Sequence, residues 1–504
     1  MSSKDKFKAH IDAGYVTKGD YITVGAAMHE GETVTDAYVK IPLKTLNRHG
    51  LIAGATGTGK TKTLQILAEN LSDKGIPVLL MDLKGDLSGI AQPSAGHPKI
   101  DERHAKIGFP FKANNFPVEI LSLSDQDGVR LRATVSEFGP VLLSRILDLT
   151  ETQSGIVAVV FKYCDDNKMP LLDLKDFKKV LQYATSEGKE EFKEMYGRIS
   201  SASTGAILRK IVELEQQGAD LFFGETSFDV EDLTRIDREG RGYINIIRLT
   251  DIQDKPKLFS TFMLSLLAEI YETFPEQGDS GRPELVLFID EAHLIFKEAS
   301  KSLLNQIESI VKLIRSKGIG LYFVTQNPTD VPDAVLGQLG LKIQHALRAF
   351  TAKDRKAIKL TAENYPDSEY YDTAEVLTSL GIGEALVSAL DEKGRPTPLA
   401  ATMLRAPMSR MDVLTSSELK EVIDNSKLIK KYNDEIDRES AYEMLNEKIK
   451  KAEALHEEEE KAKEKAKSSR SSSRKSTRQN PIIKVLTSAS FIRSVMGILK
   501  KVIK

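Results

Sequence analysis

The chain has 504 residues, 41% of them hydrophobic and 29% charged, with 71 basic side chains set against 73 acidic ones. That length exceeds one ordinary domain and allows a large core with additions, while a net charge of −2 gives no global pull toward nucleic acid. No apolar run approaches a membrane span, the first residues lack the hydrophobic core of a signal peptide, and a lone Cys164 excludes an internal disulfide. A protein of the reducing cytoplasm is expected. Cys164 has Phe161, Tyr163 and Asp165 around it and no neighbouring His or Lys to activate a thiolate, so it reads as a packing residue.

Residues 1–45 read as a short β-rich apron, with strands over 21–25 and 37–42. A first part of the nucleotide-binding core spans 46–134. It opens with an apolar run at 49–53, a buried strand, followed by Gly54, Ala55, Thr56, Gly57, Thr58, Gly59, Lys60 and Thr61. These eight residues fit the phosphate-cradling pattern G-x-x-x-x-G-K-[ST] without a mismatch, and residues 62–69 continue as a helix. The glycines let backbone N–H groups converge on an anion, and the helix N-terminus adds its positive dipole end. Lys60 is placed to reach the outer phosphates of a bound nucleoside triphosphate and Thr61 to ligate Mg²⁺. Residues 78–82 form a second buried strand ending in Asp82, which completes a βαβ unit and implies a parallel sheet. Asp82 is either an acid supporting the site or the start of an Asx turn.

Between 135 and 232 the apolar residues recur at three- and four-residue steps with few strand signals, so this segment reads as a helical insertion. The core resumes over 233–410, with strands expected at 242–247, 284–291, 320–326 and 342–348. The strand at 285–289 closes on Asp290 and Glu291. Hydrolysis needs one acid to hold the metal and another to orient water; Asp290 suits the first role through a water and Glu291 the second. Gln326 ends the next strand, where it either hydrogen-bonds the attacking water or terminal phosphate or simply starts a loop. His293 reads as a capping or packing residue, since Glu291 already supplies a base.

From 411 to 467 the chain is charged and helical, and from Ala452 onward it has no apolar stripe to bury. Residues 468–480 form a Ser/Arg linker expected to lack structure, and 481–504 a basic amphipathic helix. Such a helix can dock on a protein partner, on nucleic acid or on a membrane surface as a peripheral contact.

The phosphate loop, the strand through Asp82 and Lys84, the Asp290-Glu291-Ala292-His293 block and the run from Arg315 to Gln326 together resemble the HerA/FtsK superfamily of ring-forming ATPases. More narrowly, residues 326–332, 344–351 and 383–387 resemble the bacterial HerA-like helicase branch, with the likeness running from about Ile11 to Thr415. This implies an α/β, RecA-like P-loop fold with a mostly parallel central sheet, the helical insertion and the charged helical tail as additions. It implies ATP and Mg²⁺ as cofactors and a homohexamer with ATP at subunit interfaces. Arg315 matches the family's arginine finger, which reaches a neighbour's γ-phosphate; Arg348 matches a second phosphate-facing arginine and Gln326 the sensor glutamine. A substantial β-barrel precedes the ATPase core in HerA proper, and the roughly fifty residues here are too few for a full copy. Two functions are therefore expected in competition. One is an ATP-driven helicase or translocase threading DNA through the ring; the other is an ATP-gated assembly protein that tethers or remodels protein partners.

Overall fold

The computed structural model describes residues 2–471 apart from 279, 298–300, 435 and 437. The chain divides into two units, 1–445 and 446–504.

The first unit is built on one sheet of 12 strands. In chain order they are β1 (Tyr21–His29), β2 (Glu32–Pro42), β3 (Gly50–Ala53), β4 (Val78–Asp82), β5 (Val118–Ser122), β6 (Val129–Arg130), β7 (Ile244–Arg248), β8 (Leu285–Ile289), β9 (Ile319–Thr325), β10 (Leu341–Gln344), β11 (Glu384–Ser388) and β12 (Ala400–Leu404). Across the sheet the order is β2-β1-β12-β11-β10-β3-β9-β8-β4-β7-β5-β6. The run from β10 to β6 is parallel throughout, and the four strands from β2 to β11 add an antiparallel wing. Strands buried on both faces can be apolar at every position, which is why β3, β4, β8 and β9 are buried end to end. The α/β class with a mostly parallel sheet is as the sequence implies.

The helix Lys60–Asp73 carries the chain from β3 toward β4 and packs Leu64, Ile66, Leu67 and Leu71 into the core. Ahead of β1 lies a helix the sequence reading did not anticipate, Ser3–Gly14. A reciprocal cap between Ser2 and Asp5 starts it, and Phe7 and Ile11, one turn apart, are its buried contacts. Two apolar residues among charges make a weak periodic signal. β5 was also not anticipated, because Glu119 interrupts its apolar run; the carboxylate is nevertheless buried in an ion pair with Arg235 at 2.6 Å. The last expected strand, at 342–348, stops at Gln344.

Within 135–232 the structure contains the helices Val135–Ile146, Glu151–Asn167, Leu174–Thr185, Lys189–Tyr196 and Ser201–Glu215, and no strand of the sheet. Thr134, Thr150 and Asp173 each start one of these with a capping box. Cys164 is buried in the second helix, where burial pushes its thiol well above the ordinary range, as befits a packing residue.

In the second unit the described residues belong to the helix Ala441–Ser471. Its side chains from Lys450 to Lys465 are exposed, Glu459 excepted, as a helix without an apolar stripe must be. The helix continues over residues 468–471, where a linker was expected; the rest of that linker and the segment 481–504 lie outside the described residues. Among the described residues no helix is long and apolar enough to cross a membrane.

Candidate nucleotide site

Four parallel strands, β3, β9, β8 and β4, lie side by side in register, with Ala53 opposite Thr325, Phe323 opposite Ile289, and Ile289 opposite Met81. Their carboxyl ends therefore open on one edge of the sheet, the edge where α/β folds bind ligands. The loops that leave these ends carry the phosphate loop, Gln326, the Asp290–Glu291 pair and Lys84.

The phosphate loop is bent by backbone that only glycine adopts easily, with φ of +151° at Gly54, +78° at Gly57 and +113° at Gly59. Its first two amides are fixed, Gly54 N donating to Thr325 O at 3.3 Å and Ala55 N to Ala346 O at 2.9 Å. Thr58 Oγ1 closes the turn by donating to Ala55 O at 2.7 Å. Lys60, largely buried, donates to the Gly54 and Ala55 carbonyls at 2.7 and 3.1 Å, which folds its ammonium back over the loop. Thr61 follows in the first turn of the helix.

Beneath the loop lies His345, fully buried, its Nε2 2.8 Å from Thr63 Oγ1. Burial and the Lys60 charge push this imidazole down to about 4, so it is neutral at physiological pH. A Cβ added at Gly54 would meet the His345 Cβ at 2.5 Å. Gly54→Ala is therefore expected to destabilise the protein by roughly 1–3 kcal/mol and to abolish the rise in melting temperature on adding ATP and Mg²⁺. Thermal unfolding with and without nucleotide measures both; an unchanged melt that still responds to ATP would refute the packing argument.

Asp290 and Glu291 are 4% and 8% exposed. Glu291 holds a left-handed backbone, φ +47°, uncommon for a side chain of its size and the kind of local strain that collects at functional sites. Asp290 Oδ1 accepts from the Glu291 amide at 2.9 Å. The Lys84 ammonium bridges the pair, 2.6 Å from Glu291 Oε1 and 3.6 Å from Asp290 Oδ2. His293 Nδ1 stands 3.2 Å from Glu291 Oε2, so this ring contacts the acid as well as opening the helix that follows. Burial raises the Asp290 carboxyl above its ordinary value, with Lys84 opposing; burial and Lys84 lower the Lys60 ammonium, with Glu291 and Asp290 opposing. Because β9 alone separates β3 from β8, the loop that carries Lys60 and the two carboxylates stand on the same edge of the sheet.

The other candidates divide. Gln326 is at the loop, its Oε1 accepting from Thr56 Oγ1 at 3.4 Å. Arg348 is exposed and lies two residues beyond Ala346, whose carbonyl holds the loop. Arg315 is not at the site of its own chain. It precedes β9, at the opposite end of that seven-residue strand from Thr325, a span of roughly 20 Å. Asp82 is an anchor for the turn after β4, accepting from the amides of Gly85, Asp86 and Leu87 at 2.7, 3.2 and 3.1 Å, with its carboxyl pushed up to about 6 by burial.

Three residues carried no assigned role in the sequence reading, two of them at this cleft and one at the other end of β3. His345 and Lys84 are two of them. The third is His49, which accepts from Leu321 N at 3.1 Å and pairs with Val311 O at 2.8 Å, tying β3 to β9 and to the helix that precedes Arg315. Only their positions at strand ends set them apart in the sequence.

A family described as helicase HerA-like C-terminal matches residues 28–502. The chain belongs to this HerA-like family. The match extends well past Thr415, where the motif resemblance stopped. Curated relatives of this HerA-like chain include the DNA double-strand break repair helicase HerA of Sulfolobus acidocaldarius, 21% identical over 69% of this chain and 64% of that protein. A second is the protein of the same name in Saccharolobus solfataricus, 24% identical over 79% of this chain and 72% of its own length. The chain thus spans less than two thirds of the first of these. Among solved structures, the bacterial conjugative coupling protein TrwBdeltaN70 superposes with a TM-score of 0.51 at 16% identity, covering 82% of this chain and 95% of that one. That likeness establishes a shared fold.

Proposed function

We propose that this HerA-like protein is an ATP-hydrolysing motor that acts on DNA as a homohexameric ring in the cytoplasm. The observation that carries this reading is the strand register, which brings the loop with Lys60 and the acids Asp290 and Glu291 to one edge of the sheet. The donors present suit ATP with Mg²⁺: a glycine-bent loop for phosphates, and for the metal a hard oxygen ligand from the Thr61 hydroxyl with the Asp290 carboxylate behind a bound water. The metal, when bound, neutralises charge developing on the transferred phosphoryl group. Lys60 leaves its loop carbonyls to hold the outer phosphates. Glu291 orients water and accepts its proton, Gln326 hydrogen-bonds that water or the terminal phosphate, and Arg348 adds positive charge at the loop's edge. The geometry of Arg315 favours a shared site, because a finger at the far end of the sheet serves a neighbour's nucleotide.

The two relatives, both DNA double-strand break repair helicases, support DNA as the polymer, and the TrwB coupling protein has been solved with a non-hydrolysable ATP analogue, at a TM-score of 0.50. The competing reading, an ATP-gated tether for protein partners, draws on the near-neutral charge and the long solvated helix. ATPase rates with duplex, single-stranded and no DNA, measured on sized particles, decide between them. The motor is expected to turn over faster with DNA, with a stimulation that falls steeply as salt rises. Turnover indifferent to DNA at low salt would overturn the motor.

A further inference from the structure

Lys84 is held in place by the fold. It sits in the turn that Asp82 anchors through three backbone amides, and Gly85, at φ +75°, completes that turn. The turn delivers one ammonium to both acids of the site, at 2.6 and 3.6 Å, while 40% of the Lys84 side chain stays exposed. A Lys stem with that much exposure has room to swing toward solvent. The Asp290 oxygen that Lys84 approaches belongs to the carboxylate assigned to the metal. Two cations cannot share it cheaply, since like charges a few ångströms apart in a partly buried site repel strongly.

We propose that Lys84 is a positioning residue that competes with the divalent metal for Asp290 and Glu291. It neutralises the acidic pair before nucleotide arrives, so the site refuses bare metal and accepts metal only together with the phosphate charge that repays the displacement of Lys84. This rests on the reading of Asp290 as the metal-facing acid. It assigns the cleft a selectivity for metal–nucleotide over free metal.

Titration of the full chain with Mn²⁺, followed by its paramagnetic resonance signal, tests this without turnover. Without nucleotide, Lys84→Met is expected to bind Mn²⁺ roughly tenfold or more tighter than the parent. With a non-hydrolysable ATP analogue present the gain shrinks, and Lys84→Arg, which keeps the charge, resembles the parent in both conditions. Lys84→Gln repeats the measurement should the Met variant melt differently. Equal Mn²⁺ affinity of the parent and both neutral variants, or a gain of the same size with and without the analogue, overturns the competition. Asp290→Asn separates the two readings: if it leaves Mn²⁺ binding with the analogue intact, the metal assignment itself is wrong.

Discussion

Glu291→Gln is expected to leave ATP binding close to that of the parent and to cut hydrolysis by a factor on the order of 10²–10⁴, the usual contribution of a positioned general base. The amide keeps the shape of the side chain but cannot take a proton from water. The phosphate loop is held by the Thr325 and Ala346 carbonyls rather than by the Glu291 side chain. The strained backbone at this position also tolerates the change, because φ +47° is no worse for Gln than for Glu. Fluorescent-nucleotide binding and single-turnover hydrolysis measured on the same preparation separate the two effects. A variant that hydrolyses within a few-fold of the parent would remove Glu291 from the role of base and leave the neighbouring Asp290 or His293 to be tested in its place.

Arg315→Ala is expected to lower turnover by as much as 10³–10⁵, the range associated with an arginine finger, while each protomer continues to hold ATP. The reason is geometric. Arg315 lies before β9 and the phosphate loop lies beyond the other end of that strand's register, so a single copy cannot bring its own arginine to its own phosphates. A sharper consequence follows for mixtures. Arg315→Ala and Glu291→Gln protomers, each strongly impaired alone, are expected to regain part of the activity when assembled together, because in a shared site some interfaces would pair an intact Glu291 with a neighbour's intact Arg315. Restoration is read by ATPase assay after mixing at several ratios. Full activity of the Arg315→Ala protein, or of isolated monomers, would contradict the shared site.

Much of this was legible in the chain because the chemistry is local. The loop from Gly54 to Thr61 needs its glycines, its lysine and its hydroxyl in consecutive positions, and the acids Asp290 and Glu291 directly follow the strand that presents them. Strands buried on both faces announce themselves as unbroken apolar runs, which made β3, β4, β8 and β9 readable. The signals failed where burial was achieved by pairing. Glu119 masks β5 because its charge is met by Arg235 from far along the chain, and the Ser3–Gly14 helix buries only Phe7 and Ile11.

By itself, the sequence determined the strand, turn or helix on which most of the candidate groups stand, since backbone geometry and short-range spacing are properties of neighbouring residues. Only the tertiary structure decided their company. The parallel register of β3, β9, β8 and β4 gathers Lys60, Gln326, Glu291 and Lys84 on one edge and sends Arg315 to the other. It also slid a neutral His345 under the phosphate loop and an ammonium between two acids. Strand order and register are fixed by packing between segments hundreds of residues apart, and no window of sequence contains that information.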